Sequence, residues 1–211
     1  MKSFLLSVFI LLNAVEPSAQ SEWTLVKAID DLEVFTRSTV ESKFKEVKIN
    51  AKIQCSMSEI VAVLEDIDAQ KKWVMRTLEV DMLEQRNAGD FTYYLITDMP
   101  FPVRDRELIV DHKRSLISEN QVKIELLTSE YILTPHAEYV LIPYYSSTYL
   151  MKQSEDGWID IHYHVKLDPG GILPAWLYNL AVAKGPISSF QGLFDIIHSG
   201  AYRDRTIVGL N

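Results

Sequence analysis

Cysteine is almost missing from this chain of 211 residues; Cys55 is the single one. No intrachain disulfide can form, so the fold must be held by its core. Cys55 stands just before a helix signal and reads as a small apolar residue rather than a reactive thiol. Positive charge is also scarce. There are 21 Lys and Arg against 29 Asp and Glu, a formal net charge of −8. That balance argues against nucleic acid and against polybasic adhesion to anionic lipid. The sequence contains no Gly-x-Ser-x-Gly elbow, phosphate loop, His-Glu-x-x-His or Cys-x-x-Cys. Motif-borne hydrolysis and metal chemistry are thereby disfavoured, although a pocket can catalyse with dispersed groups.

The apolar run after Lys2, Phe4 to Leu12, spans nine residues. It is too short to cross a bilayer and has the length of a signal-peptide core. The polar stretch Glu16 to Gln20 follows, with cleavage expected near Ala19 or Gln20. Residues 1–20 are therefore expected to be a signal peptide, and the mature protein to be periplasmic or secreted. Residues 21–203 are expected to form one domain, with 204–211 as a short tail. An apolar content of 47% suits one sizeable core.

Trp158 to Leu167 alternates. Ile159, Ile161, Tyr163, Val165 and Leu167 share one face; Asp160, His162, His164 and Lys166 share the other. The turn Asp168-Pro-Gly-Gly171 follows, then a long amphipathic segment from Pro174 to about His198. In it Trp176, Leu180, Ala183, Ile187, Phe190, Phe194 and Ile197 recur at steps of four and three, one stripe of a helix. Gly185-Pro186 would fall in the middle of that helix as a bend or a hinge.

Upstream, strands are expected over Leu32–Thr36, Phe44–Ile53, Arg76–Gln85, Phe91–Thr97, Arg106–Leu116, Val122–Thr128 and Ser147–Gln153. Ser56 or Ser58 caps a helix with the stripe Ile60, Val63, Leu64 and Ile67, and a second short helix runs toward Trp73. Consecutive short strands joined by turn signals make an antiparallel meander, so the fold class is α+β: a curved sheet wrapped on a C-terminal helix. The Phe91, Tyr93, Leu95 face and the Ile159, Ile161, Tyr163 face would line either a hollow or an ordinary core; periodicity does not separate the two.

Two motifs carry a resemblance. Asp98-Met-Pro-Phe-Pro-Val-Arg-Asp-Arg-Glu107, and the run from Gly157 through Asp168-Pro-Gly-Gly171 to Asn179, resemble the START family of lipid-transfer domains. The likeness covers roughly residues 22–200. It implies a helix-grip fold with an apolar tunnel for one lipid or similar hydrophobic molecule, binding or transfer rather than catalysis, no cofactor, and at most transient membrane contact. It also places His112 near a position where a basic residue would be expected.

The residues expected to meet the ligand are Tyr93, Leu95, Arg106, His112, Tyr149, Tyr163, Trp176, Leu180 and Ile187. Arg106, His112 and Arg114 share a strand face that would meet a head group or form a structural ion pair. Arg104-Asp105-Arg106-Glu107 reads as a local salt-bridge network. His162 and His164 lie on the solvated face and lack a third ligand for a metal. The alternatives are an enzyme on the same scaffold, a cyclase or hydrolase acting on an aromatic or polyketide-like substrate, and an interaction module with a filled core.

Overall fold

The computed structural model describes residues 21–131 and 136–210. The expected signal peptide lies outside the described residues. Ten strands form a single sheet: β1 (Thr24–Ile29), β2 (Leu32–Arg37), β3 (Glu46–Gln54), β4 (Thr77–Asn87), β5 (Asp90–Thr97), β6 (Arg106–Ser118), β7 (Gln121–Thr128), β8 (Val140–Leu141), β9 (Tyr144–Gln153) and β10 (Trp158–Asp168). Their order is β1-β2-β3-β10-β9-β7-β6-β5-β4, with every pair antiparallel except β8, which lies parallel to the start of β6. Helices α1 (Met57–Glu65), α2 (Gln70–Trp73), α3 (Ala175–Ala181) and α4 (Lys184–His198) complete the fold.

Register follows from alternation. Val34, Ile49, Tyr163, Tyr149 and Ile124 stand opposite one another on five adjacent strands, all buried. A one-residue slip in any of them would send an apolar set to solvent. Ser56 caps α1 by accepting the Glu59 N–H at 3.1 Å. The β4 stripe of Leu78, Val80 and Met82 is not kept: Val80 is buried while Leu78 and Met82 are exposed. Bulges between Thr77 and Glu79 and between Met82 and Glu84 break the period in this edge strand.

The closing segment differs from the expected single helix. It is two helices joined through Val182 and Ala183. Gly185 and Pro186 occupy the first turn of α4, where proline's missing N–H costs nothing because that donor has no helical partner. Only α4 grips the sheet. Phe190, Leu193 and Ile197 are buried, with Phe190 packed at 5.3 Å from the Tyr163 ring and 6.1 Å from the Tyr149 ring. No residue of α3 is buried. Residues 204–210, expected as a tail, fold back on α1, where Ser58 Oγ donates to the Leu210 carbonyl at 3.2 Å.

Phe190→Ala is expected to cost about 3–5 kcal/mol in chemical denaturation, the loss typical of a buried aromatic. Trp176→Ala in α3 is expected to stay within about 0.5 kcal/mol of the parent, as for an exposed side chain. Equal losses at the two positions would show that both helices grip alike.

Candidate functional site

Three strand-borne residues face the concave interior from β6, and each is tied to a different segment. Arg106 is buried. Its Nε donates to the Pro169 carbonyl at 2.9 Å, Nη2 to Gly170 at 3.3 Å, and Nη1 to the Arg104 carbonyl. The guanidinium therefore clamps the turn between β10 and α3. That turn needs glycine at Gly170, where φ is 65° and a Cβ would stand 2.7 Å from the Leu141 carbonyl oxygen. His112 stacks on Phe91 at 4.2 Å and its Nδ1 lies 3.2 Å from the Gly89 carbonyl. That acceptor places the proton on Nδ1. Arg114 pairs with Glu65 of α1 at 2.9 Å. The strand face thus reads as a set of structural ties rather than one head-group cluster.

The expected Arg104–Glu107 network is likewise distributed. Arg104 holds the carbonyls of Ala137, Glu138 and Tyr139. Asp105 accepts the Met99 N–H at 2.8 Å. Glu107, facing the other side of the sheet, meets His136 Nδ1 at 3.0 Å and the Tyr94 hydroxyl at 3.3 Å. Adjacent residues on a strand point to opposite faces, so neighbours in sequence cannot pair as a block.

Tyr93, Tyr149 and Tyr163 lie on the concave face with Leu95, all four buried. Tyr149 and Tyr163 rings stand 4.5 Å apart, and Tyr145 bonds Ser147 at 3.0 Å. Burial raises the phenol pKa of Tyr93, Tyr145, Tyr149 and Tyr163, so these groups stay neutral donors and acceptors. At the middle of the sheet this face meets Phe190 and Leu193 directly. Ile187, one turn earlier, is only half-buried.

Trp176 and Leu180 do not turn inward. They are 71% and 77% exposed, and Phe101 and Ile172 beside the same end of the fold are 96% and 105% exposed. The helical stripe stops at the break between α3 and α4: Ile187 and Phe190 pack on the core, while no residue of α3 is buried. Phe101 and Ile172 were missed by sequence reasoning; each is an apolar residue inside a turn with no periodic partner, which was the available signal. What holds α3 is a pair of hydrogen bonds and one aromatic contact. Asn179 accepts the Lys45 N–H at 2.8 Å and donates to the Lys43 carbonyl at 3.0 Å, and Tyr178 meets Phe44 edge-on at 5.1 Å.

On the convex face His164 and Lys166 pair with the buried Glu46, at 3.0 and 2.9 Å, and Arg37 joins them at 2.8 Å. Despite the opposing pull of burial, the hydrogen bonds from Lys166, Arg37 and His164 hold the Glu46 carboxyl below its ordinary range. His162 meets Asn50 at 3.0 Å. A cleft of about 420 Å³ opens at the far end of the sheet, beside Cys55, Glu59, His198 and Arg203. A smaller one of about 180 Å³ lies by Arg114 and Leu210.

No family model matches the chain. An uncharacterised protein of Pseudomonas aeruginosa is 27% identical over 172 residues, 82% of this chain and 85% of that protein. The phosphatidylcholine transfer protein of Rattus norvegicus is 22% identical over 175 residues, 81% of this chain and 80% of the relative. Among solved structures, the STAR-related lipid transfer protein of Xanthomonas axonopodis superposes with a TM-score of 0.77 at 22% identity, covering 83% of this chain and 98% of that one. Human StAR-related lipid transfer protein 5 gives 0.76 at 10% identity, covering 84% and 87%.

Arg106→Met is expected to lower stability by about 2–4 kcal/mol, since charge-assisted bonds to two turn carbonyls are lost together. Denaturant unfolding measures it, and an unchanged midpoint would remove the clamp. For His112, burial pushes the imidazole pKa from 6.5 to about 4. The unfolded state takes up a proton near 6.5 and the folded state does not, so stability falls as pH drops from about 6.5 toward 4. His112→Leu is expected to flatten that part of the stability–pH curve relative to the parent.

Proposed function

The chain is a START-fold protein, and from that premise we propose that it binds one lipid or similar hydrophobic molecule and exchanges it with a membrane. The observation that carries this reading is the state of α3. It follows the β10 turn without burying a single residue, and it is fastened to residues 43–45 by two hydrogen bonds and one aromatic contact. Ligand enters where α3 lifts about Val182–Ala183, and the apolar body lies on the face of Tyr93, Leu95, Tyr149 and Tyr163 beside Ile187. Burial of chain methylenes at about 0.8 kcal/mol each supplies most of the affinity. The neutral tyrosine hydroxyls orient the polar end. The END of α4 that interlocks with the sheet acts as the fixed part of the grip.

The exposed Phe101, Ile172, Trp176 and Leu180 form the docking rim. Large apolar groups standing in water suit insertion into the acyl boundary of a bilayer. The net charge of −8 makes apolar insertion, rather than attraction to anionic lipid, the main term. Export through the segment 1–20 would place this exchange in a periplasm or outside the cell. A helix-grip enzyme would need a general base on the concave face, and His112, with its pKa near 4, is a weak one.

Native mass spectrometry of the mature protein is expected to show one apolar adduct per chain, recoverable by solvent extraction. Phe101→Ser with Trp176→Ser is expected to slow lipid exchange between vesicles by about tenfold or more, each side chain contributing about 1.5–3 kcal/mol of apolar burial, with the melting midpoint unchanged. Failure to load any lipid, or exchange at parental rate, would defeat the reading.

A further inference from the structure

We propose that the cleft at the end opposite α3 is a second binding site, for a small free zwitterion of the amino-acid class. This goes beyond the lipid reading and does not depend on it. The cleft joins four elements: the end of β3, the start of α1, the β9–β10 turn and the end of α4. At about 420 Å³ it falls at the small end of ligand pockets, which run from about 300 to 1,000 Å³.

Its most informative wall residue is Glu59. Ser56 and Glu59 stand at the spacing of a capping box, in which each side chain bonds the other's backbone N–H. Only half of that box is made. Ser56 Oγ accepts the Glu59 N–H at 3.1 Å, while no described residue donates to the Glu59 carboxylate. Yet Glu59 is only 7% exposed, and it lines the cleft. Its field reaches the Cys55 thiol, whose pKa is pushed up to about 12 by burial and then by this carboxylate. The residue is packed among its neighbours while its unpaired carboxylate opens onto the cleft, where a bound cation would meet it. Its place in the first turn of α1 suits that charge.

Arg203 supplies the opposite charge from another wall, beside the His198 imidazole, and Gln54 and Gln153 add amides. Among the described residues Glu59 and Arg203 share the cleft without an ion pair between them. A lone cation is attracted by Glu59 and repelled by Arg203; a lone anion meets the reverse. A molecule with an ammonium at one end and a carboxylate at the other satisfies both. The thiol, held protonated, is a neutral wall and not a nucleophile.

The test is an amide NMR titration of the mature protein with glycine, γ-aminobutyrate and ε-aminocaproate, with butylamine and butyrate as single-charge probes. Saturable shifts at Cys55, Gln153 and Gly157 are expected with at least one member of the zwitterion series. Glu59→Gln and Arg203→Gln are each expected to weaken it by about tenfold or more. Arg203 is an exposed residue, so its variant keeps the test decisive should Glu59→Gln fail to fold. Absence of a saturable shift across the series would overturn the proposal. So would equal binding of a single-charge probe, or parental affinity in the Arg203 variant.

Discussion

Phe190 lying against Tyr149 and Tyr163 is the contact on which the rest of the architecture depends. A curved sheet exposes an apolar concave face, and some element must cover it. The last three turns of α4 do so with Phe190, Leu193 and Ile197, aided by α1 and α2. Gly192 lets α4 come close to α2: a Cβ there would stand 3.0 Å from the Trp73 backbone. Large buried area per residue makes this the strong part of the grip. One end of the fold is thereby fixed, and the other is left to weaker forces.

The weak end is held differently. In α3 Trp176, Leu177 and Leu180 stand in solvent, and two hydrogen bonds and the Tyr178–Phe44 contact to residues 43–45 take the place of a buried stripe. Low local burial means a low free energy of local opening. Arg106 pins Pro169 and Gly170 at the root of α3. The same economy appears along 104–107, where four charged residues reach three separate parts of the chain and tie the β6 strand into the fold. Such ties set position.

The strands were legible because one face of a half-buried strand repeats every second residue. Trp158–Asp168 and Asp90–Thr97 lie within a residue of where alternation put them. The edge strand β4 was less legible, since bulges changed its phase while its residues still alternated. The site was read only in part. Tyr93, Leu95 and Tyr163 were placed on an inward face by parity alone, and all three are buried. Arg106 and His112 were assigned to the right face with no means of knowing their partners, because Pro169 and Gly89 approach them through turns distant in sequence.

What the amino-acid order determined by itself was the class of fold: periods of two and of three to four, turn residues between them, and two motifs in the right sequence. Those are local properties, set by backbone geometry and side-chain direction within a few residues. What only the tertiary structure decided was which apolar residues found a partner. Trp176 and Phe190 sit on one helical stripe on paper. Phe190 lies under the sheet, and Trp176, beyond the break between the two helices, stands in water; no local rule encodes that, because burial depends on what stands opposite in space.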